Sequence, residues 1–586
     1  MRQWMVAAKK ADFYAIAEKF HVDPVVARII RNREVIGEKN IRIYLGGNLS
    51  DLSDPHQMKD MDRLVEILAQ KIRKQVHIRI IGDYDVDGVT SSHLFLTVLR
   101  RVGAKVDVVI PHRIQDGYGL SLRLLQQAKE DGVDTILTCD NGIAAIDEIA
   151  WAKAQKMTVL VTDHHAVPFE EHEGRRTEKK SLADAVVNPH QQDCGYPYKE
   201  LCGAGVAWNV IRVLYENYDM DKREAEDLLD FVAMATVCDV MSLTGENRIL
   251  VKEGLKRIRH TKNIGLQALM QACNVQPENI SAYHFGYVLG PCVNATGRLD
   301  TARHALRLFE TGQETEAEEI ARDLVDLNQE RKELTLQGVE MAKKLCEEGG
   351  YENDPVLVLF LPDVHESIAG LIAGRIREMY NRPVFVLTRG EEGVKGSGRS
   401  TENYSMYENM CGCAELFTKF GGHPMAAGLS LPEENVEKFR RKINENCPLT
   451  VEEVCPDIHI DMAMPVGYAS TELVHQFALL EPFGKDNPSP LFADRNLSIS
   501  RMWLIGKNRN VLRMSVLSEY GQPVPVIFFG DVETLFAYFT EKFGQEEVEN
   551  ALHGRKNRIL FSMVYTAKID FYQGNENLQL EMKYYR

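Results

Sequence analysis

The feature that most constrains the fold is a pattern that repeats five times between residues 76 and 188. Each repeat has a short apolar run, a polar turn and a stretch long enough for one helix. The runs are VHIRII (76–81), KVDVVI (105–110), DTILTC (134–139), MTVLVT (157–162) and ADAVVN (183–188). Strands that are separated by one crossover helix pair in parallel. The pattern therefore predicts an α/β domain with a parallel sheet.

Acidic residues and histidines directly follow three of these runs. They are Asp83, Asp85 and Asp87 after the first run, Asp140 after the third, and Asp163, His164 and His165 after the fourth. Ligands of parallel sheets bind beyond the carboxyl ends of the strands. We therefore expect these side chains to meet at one edge of the sheet.

Two interpretations of the first acidic loop remain open from its residues alone. Asp83, Asp85 and Asp87 would share one face of an extended segment, and such carboxylates repel each other unless cations lie between them. The alternative is a solvated turn that caps a helix beginning near Gly88. The three loops together favour a metal site, because Mg²⁺ and Mn²⁺ prefer carboxylates and Mn²⁺ also accepts imidazole. Five or more carboxylates with histidine suggest two ions, which can activate a water and stabilise a phosphoryl group.

The rest of the chain predicts three further parts. Residues 201–310 are typical of helices, and their apolar stretch FVAMATVCDV carries Asp239. Apolar positions at helical spacing over 313–348 predict one long connecting helix. A second α/β unit begins at residue 355. Strand-like stretches that predict a small β-barrel lie near 497–505, 511–517, 524–530, 558–571 and 577–585.

Composition bounds the class of protein. None of the apolar runs in the 586 residues approaches the roughly 20 residues of a membrane span, and the odd count of eleven cysteines favours reduced thiols. We therefore expect a cytoplasmic protein without a membrane partner. The net charge of −16 argues against nucleic-acid binding when it is taken alone. However, residues 310–354 hold 14 acidic and five basic residues, so much of this charge lies in the predicted connecting helix.

Several short motifs resemble those of the DHH phosphoesterase superfamily. They are DYDVDG (83–88), CDNG (139–142), TDHH (162–165) and VCDV (237–240), with GGHPMAAG (421–428) resembling the motif of the DHH-associated domain. With PFGKDNPSPLF (482–492) the resemblance covers about residues 40–586 and is closest to the RecJ family of bacterial exonucleases. It implies a parallel-sheet DHH domain, a long helix, a second α/β domain and an OB-fold barrel. The implied parts are an N-terminal helical segment (1–50), the DHH domain (51–310), the helix (311–352), the DHH-associated phosphate-binding domain (353–454) and the OB-fold (455–586).

The resemblance also implies roles for the acidic residues and histidines. The implied ligands of two Mn²⁺ or Mg²⁺ ions are Asp83, Asp85, Asp87, Asp140, His164 and Asp239, the last from a helix. His165 would face the substrate phosphate, and Asp163 would orient its neighbours as part of the catalytic group. From the residues alone, Asp239 could instead be an ion-paired core residue.

Further residues are implied to bind substrate phosphate or single strands. The phosphate set is His423, Gly421, Gly422, Arg399, Ser397 and Arg298, although His423 alone also fits a packed histidine in a strand-to-helix turn. In GPCVNATGRL the family usually has arginine where this chain has Cys292. In the barrel, aromatic and basic residues suggest a platform for single strands. These are Trp503, Arg501, Lys507 and Arg509, of which Trp503 could equally be core.

The implied function is a single-strand-specific 5′-to-3′ DNA exonuclease that releases 5′-mononucleotides in recombination and repair. We expect a monomer that cooperates with a helicase and a single-strand binding protein. Two alternatives are a DHH phosphodiesterase of short oligonucleotides and a catalytically silent replication scaffold. The predicted barrel argues against the first, and the complete set of motif acids argues against the second.

Overall fold

The computed structural model describes residues 3–113, 116–117, 119–172, 175–351, 353–390, 393–455, 457–506, 510–572 and 574–586. The chain divides into two compact units. One unit is Asn48–Pro456, and the other combines Gln3–Gly47 with Asp457–Arg586. No helix of the described ranges has the length and apolar character that a bilayer crossing requires.

The N-terminal segment is mostly helical. Its elements are β1 (Trp4–Val6), α1 (Phe13–Phe20), α2 (Pro24–Asn32) and α3 (Glu38–Gly46). Asp12 and Asp23 accept hydrogen bonds from the first turns of α1 and α2, and Pro24 fits the first position of α2 because no backbone donor is needed there.

The first domain contains the parallel sheet that the sequence predicts. Its elements up to residue 187 are α4 (Met61–Arg73), β2 (Ile78–Ile81), α5 (Val86–Arg101), β3 (Val106–Val109), α6 (Leu122–Glu130), β4 (Thr135–Cys139), α7 (Ile146–Ala154), β5 (Thr158–Thr162), β6 (Phe169–His172), β7 (Arg175–Glu178) and β8 (Ala185–Val187). The strand order is β3-β2-β4-β5-β8 with every pair parallel, while β6 and β7 form a separate hairpin. The predicted parallel sheet is confirmed.

Helices cover both faces of this sheet. Ile78 and Ile80 belong to one apolar cluster, whereas Ile81 belongs to another that includes Leu125 and Ile149 of α6 and α7. Because successive strand residues point to opposite faces, a sheet buried on both faces has almost continuous apolar strands. This is why the five runs are largely apolar.

The chain continues as helices into the connection between domains. They are α8 (Gly203–Asn217), α9 (Lys222–Glu226), α10 (Leu229–Cys238), α11 (Gly245–Ile258), α12 (Ile264–Ala272), α13 (Ala282–His284), α14 (Gly290–Leu299), α15 (Arg303–Glu310) and α16 (Glu314–Glu348). A π-helical turn, Phe285–Leu289, precedes α14. The 35-residue α16 places Leu324 in the core of the first domain and Ala342 in that of the second. The long helix therefore belongs to both cores.

The second domain has a mixed five-stranded sheet. Its elements are β9 (Leu357–Phe360), α17 (Ala369–Tyr380), β10 (Val384–Arg389), β11 (Val394–Arg399), α18 (Met406–Cys411), β12 (Lys419–His423), β13 (Ala426–Leu431) and α19 (Val436–Glu445). The strand order is β12-β13-β11-β10-β9, and only β9 and β10 are parallel.

The C-terminal part forms the predicted barrel. Its elements are β14 (Ile458–Ile460), β15 (Met462–Ala463), α20 (Thr471–Phe477), β16 (Phe492–Ile505), β17 (Val511–Leu517), β18 (Pro523–Phe528), α21 (Val532–Phe543), α22 (Gln545–Leu552), β19 (Leu560–Tyr572) and β20 (Asn575–Tyr585). The order β15-β16-β17-β18-β20-β19 closes because β16 also pairs with β19. The sequence did not predict α21 and α22.

The N-terminal segment packs on this barrel. Strand β1 pairs in parallel with β14, and Arg33 binds the buried Asp461 with an N–O distance of 2.7 Å. Tyr44 donates to the amide oxygen of Asn487 at 2.8 Å. These contacts join the two ends of the described chain in one compact unit, an association that sequence patterns do not indicate.

Candidate active site

The three acidic loops meet at one edge of the parallel sheet, together with the end of α10. Three groups of side chains have potential ligand atoms within 4.8 Å of one another. They are Asp83 with Asp85 and Asp140; Asp87 with His164 and Asp239; and Asp140 with His164 and His165. Because Asp140 belongs to two of these groups, the arrangement offers two adjacent cation positions.

The first loop does not have the extended face that the sequence predicts. Helix α5 begins at Val86, so Asp85 is its N-cap and Asp87 lies in its first turn. Asp85 Oδ1 accepts hydrogen bonds from the backbone N–H groups of Asp87 and Gly88 at 2.9 and 3.1 Å. Helical turning therefore directs Asp83 and Asp87 into different ligand groups. The cap and the acidic cluster, which the sequence offers as alternatives, occur together.

Asp87 is held by the N-terminus of α8. Its two carboxylate oxygens accept from the backbone N–H groups of Gly203 and Ala204 at 2.6 and 2.7 Å. Burial first, and then the charge of Asp85, raise the pKa of Asp87 to about 6. The helix N-terminus fixes the carboxylate but does not offset its burial.

Asp140 occupies a strained and tightly packed position. Its φ of 61° is uncommon for a residue other than glycine, and the residue is 2% exposed. A Cβ on Gly203 would lie 2.6 Å from Asp140 Cβ, so glycine is needed opposite it. Burial, followed by the charges of Asp87 and Asp85, raises the pKa of Asp140 well above its ordinary value.

The donor set around His164 fits a divalent cation. His164 Nε2 lies 3.1 Å from Asp140 Oδ1, 3.6 Å from Asp239 Oδ2 and 3.7 Å from Asp87 Oδ2. This nitrogen is buried without a hydrogen bond to any described residue. Burial, and then the neighbouring His165, lower the pKa of His164 to about 3, so its ring is neutral at pH 7. A ligand set of one neutral imidazole nitrogen and several carboxylate oxygens suits Mn²⁺ and can also bind Mg²⁺.

His165 and Asp163 form a pair beside the cluster. His165 Nδ1 lies 2.8 Å from Asp163 Oδ1, and the ring is 44% exposed. Burial alone would lower the pKa of His165, but the hydrogen bond to Asp163 outweighs it and raises the pKa to about 9. Asp163 also accepts from the backbone N–H groups of His164 and Ile143. Its carboxylate therefore contacts both histidine residues.

Asp239 is not inside a helix but at the C-cap of α10. Its side chain is 27% exposed, so it is not fully buried in the apolar core. The next residue, Val240, is 62% exposed and has a φ of 54°, which is unusual for a β-branched side chain. This strained turn directs the chain away just after Asp239.

A cavity of about 460 Å³ opens beside the first loop, between the first and second domains. Residues lining it include Tyr84, Arg113, Ser367, Lys395, Ser397 and Gly421. Two of the predicted phosphate-binding arginines support this lining. Arg298 donates to the Ser367 carbonyl at 2.7 Å, and Arg399 Nη1 lies 3.3 Å from Ser397 Oγ.

The arginines at this cavity repel each other. Burial, followed by the charges of Arg113, Arg331 and Arg399, lowers the pKa of Arg298 to about 9. Burial, and then Arg113, also lower the pKa of Arg399. Clustered cations with depressed pKa values favour an anion such as phosphate.

Sequence reasoning missed Arg113. Its guanidinium carbon lies 4.7 Å from the centre of the Tyr84 ring. Arg113 follows β3 at the same sheet edge as the acidic loops, so the position after the second apolar run was the signal that could have identified it.

The glycine-rich motif forms a hairpin, not a strand-to-helix turn. Gly421, Gly422 and His423 end β12, which pairs with β13. His423 is exposed, and its Nδ1 accepts from the Met425 N–H at 3.3 Å. His423 and Arg399 line a second groove of about 990 Å³, whereas Gly421 lines the first cavity. These residues lie on the second domain, outside the three ligand groups.

Two arginines lie beside Trp503, one of the barrel residues predicted to bind single strands. Trp503 is half-buried, with the guanidinium carbons of Arg501 and Arg513 lying 5.6 and 5.9 Å from its ring centre. It is therefore a surface residue of β16 and not a core one. Lys507 and Arg509 lie outside the described residues.

Comparisons with known proteins agree with this architecture. Residues 77–236 match the DHH family, N-terminal domain; 353–447 match the DHHA1 domain; and 460–584 match the RecJ OB domain. The chain is 32% identical to the single-stranded-DNA-specific exonuclease RecJ of Haemophilus influenzae over 96% of each chain. It is 33% identical to the protein of the same name from Bacillus subtilis over 87% of this chain, a match that spans 63% of the Bacillus protein.

Solved structures give the same result. The crystal structure of RecJ in complex with Mn²⁺ from Thermus thermophilus has a TM-score of 0.79 at 25% identity and covers all of this chain and 79% of that one. A structure of exonuclease RecJ bound to manganese has a TM-score of 0.57 at 32% identity, over 66% of this chain and 94% of that one. Since several near-full-length relatives are more than 30% identical to it and its three domains match in order, the chain belongs to the RecJ family of DHH phosphoesterases.

Proposed function

We propose that the chain is a metal-dependent exonuclease that degrades single-stranded DNA from its 5′ end and releases mononucleotides. The observation that carries this proposal is the cluster of acids and histidines beside an arginine-containing cavity. The relatives at near-full length are described as exonucleases specific for single-stranded DNA. With the terminal 5′ phosphate in the cavity, the neighbouring phosphodiester bond would lie at the cluster. Hydrolysis there would release one nucleotide from the 5′ end.

Mn²⁺ or Mg²⁺ is the cofactor that the donor set fits. We assign one position to the group of Asp83, Asp85 and Asp140, and the other to the group of Asp87, His164 and Asp239. When bound, two such ions lower the pKa of a water and offset the charge on a phosphoryl group under attack. The residues bring several carboxylates together in a buried setting, and bound cations would offset their mutual repulsion.

His165 is assigned to the substrate phosphate. It is charged at neutral pH because of Asp163, and it is partly exposed beside Asp140, with Nδ1 and Oδ1 4.0 Å apart. Since Asp163 engages Nδ1, Nε2 is the atom that would reach a phosphate oxygen. Asp163 is thus a positioning residue, and His165 donates a charged hydrogen bond.

The 5′ phosphate is assigned to the cavity of Arg113 and Ser397, with Arg298 and Arg399 behind its lining. A volume of about 460 Å³ is in the range of small-ligand sites, which suits one nucleotide and not the end of a duplex. The strand beyond the scissile bond would follow the second groove, where His423 and Arg399 can contact its backbone. Specificity for single strands would therefore be steric.

The barrel is assigned to binding of the single strand. Trp503 between Arg501 and Arg513 combines an aromatic face with two cations, the arrangement that binds single strands without sequence preference. We further propose a cytoplasmic monomer, which receives single strands from a helicase and a single-strand binding protein. The family membership supports this proposal about partners.

The two alternatives are less well supported. A phosphodiesterase for short oligonucleotides has no need of the RecJ OB domain at residues 460–584. A silent scaffold has no need of six acids and two histidines brought to one sheet edge.

The test is a nuclease assay on strands labelled at either end. A 5′-labelled single strand should release a labelled mononucleotide at once, whereas a 3′-labelled strand should shorten stepwise. Duplex of the same sequence should resist, and chelation of the metal should stop both reactions. Initial release of mononucleotide from the 3′ label would contradict the polarity, and equal digestion of duplex would contradict the steric argument.

A further inference from the structure

Two cysteines of the first domain lie in contact outside the ligand groups. Cys273 is the C-cap of α12, and Cys292 lies in α14. Their sulfur atoms are 3.8 Å apart. All eleven cysteines of the chain are free thiols. The sulfur atoms of a disulfide bond are about 2.0 Å apart, so these two sulfurs would have to move closer by somewhat under 2 Å to form one.

The two thiols have different surroundings. Cys292 is 2% exposed, and its sulfur accepts a hydrogen bond from the side-chain amide of Asn328 at 3.3 Å. Cys273 is partly exposed. The contact with Cys292 lowers the pKa of Cys273, and the charge of Lys332 adds to this effect. The same contact, together with burial, raises the pKa of Cys292.

This asymmetry separates an attacking thiol from a resolving one. Cys273 is the accessible member of the pair, so an oxidant reaches its sulfur first, and the thiolate is the form that reacts. Cys292 is protected from solvent but lies within contact distance of whatever forms on Cys273. A low-pKa, accessible cysteine next to a second cysteine is the arrangement of redox-sensing thiols.

We propose that Cys273 and Cys292 form a reversible, peroxide-oxidisable dithiol that restrains α14 and slows the nuclease when it is oxidised. The Cys273 thiolate attacks one peroxide oxygen, the O–O bond breaks, and the other oxygen leaves as water after protonation. The sulfur of Cys292 then attacks the resulting sulfenic sulfur, forming the S–S bond and releasing a second water with the thiol proton. Two thiols thus lose two electrons and two protons, while one peroxide becomes two waters.

Helix α14 connects this pair to the active site. Asn294 accepts a hydrogen bond from the backbone N–H of Val86, between Asp85 and Asp87, at 3.2 Å. Gly297 packs so closely on the first loop that a Cβ there would lie 2.4 Å from the Tyr84 carbonyl oxygen. Arg298 bonds to Ser367 of the second domain. A shift of α14 toward Cys273 would therefore move the first acidic loop and the arginine cavity together.

The test treats the full-length protein with hydrogen peroxide and follows the thiols directly. Intact mass should fall by about 2 Da, and peptide mapping should recover a peptide pair linked through Cys273 and Cys292. Cys273→Ser should not form this link, nor should Cys292→Ser. The variant Cys411→Ser, which removes an exposed thiol elsewhere, should form it normally.

Activity is a second and separate readout, which rests on the proposed nuclease function. Oxidation should reduce the cleavage rate about tenfold or more, since displacements of about 1 Å at an active site cost up to about 100-fold. Dithiothreitol should restore the rate, and Cys273→Ser should keep its rate in peroxide. Absence of the linked peptide would overturn the dithiol, whatever the activity. A linked protein that cleaves as fast as the reduced protein would overturn the control by α14. A reduced protein without nuclease activity would instead count against the proposed function.

Discussion

The metal-free cluster should be a measurable source of instability. Asp87 has a pKa of about 6 in the folded chain, against an ordinary value of 3.8. A folded-state pKa above the unfolded one means that the fold loses stability as the pH rises from about 4 through about 6. The shift of about 2 pKa units corresponds to about 3 kcal/mol at pH 7.5, but to only about 1 kcal/mol at pH 4.5. Burial and like charges also raise the pKa values of Asp83 and Asp140, which act in the same direction, whereas the depressed pKa of His164 acts in the opposite direction at acidic pH.

Mn²⁺ should recover this free energy because it replaces repulsion with coordination. For a domain of this size, about 3 kcal/mol corresponds to a rise of roughly 6–12 °C in the unfolding temperature of the first domain. The assay is thermal unfolding at pH 7.5 and pH 4.5, with Mn²⁺ or with a chelator. The rise should be large at pH 7.5 and small at pH 4.5.

Substitution of one ligand separates this effect from unspecific metal binding. Asp140→Asn removes a buried charge, so it should make the metal-free protein more stable at pH 7.5 while it abolishes most of the rise with Mn²⁺. The control is Asp147→Asn, an exposed acid of α7, which should behave like the wild type. An equal rise with Mn²⁺ for wild type and Asp140→Asn, or a rise independent of pH, would refute the reasoning.

Three further predictions concern other parts of the chain. In Gly203→Ala the Cβ of the new alanine would displace Asp140, so the cleavage rate should fall about 100-fold while the circular dichroism spectrum stays unchanged. A wild-type cleavage rate would contradict this packing. Burial raises the pKa of Asp230 to about 6, so Asp230→Asn should increase the free energy of unfolding in urea by up to about 3 kcal/mol at pH 7.5 and by little at pH 4. Equal effects at both pH values would contradict this cause. A chain of residues 48–455 lacks the barrel, so fluorescence anisotropy should show weaker binding of long single strands while short strands are still hydrolysed. Unchanged affinity for long strands would show that the barrel does not bind the substrate.

The sheet and its acidic edge could be predicted because both depend on local pattern. Five apolar runs at crossover spacing specify parallel strands, and parallel strands bring the residues after them together. The long helix α16 could also be predicted, because its apolar residues keep helical spacing over 35 residues.

Other features depend on contacts that sequence spacing does not encode. Alternation of Asp83, Asp85 and Asp87 suggested an extended face, but the capping of α5 by Asp85 starts the helix earlier and separates the outer two. The glycine-rich motif forms a hairpin because its two halves, β12 and β13, pair with each other, and β13 also pairs with β11. Likewise, the packing of Tyr44 on Asn487 joins residues more than 400 positions apart.

The central claim is that the cluster around Asp140 holds the metal with which single-stranded DNA is cut. The most direct measurement is the Mn²⁺-dependent release of nucleotide from a 5′-phosphorylated single strand by Asp140→Asn, compared with Asp147→Asn and the wild type. We predict that Asp140→Asn loses activity by more than about 100-fold, while Asp147→Asn keeps the wild-type rate. Replacing a residue that only supports a metal ligand costs at most about 100-fold, so a larger loss indicates a ligand. Wild-type release by Asp140→Asn would contradict the assignment of the active site.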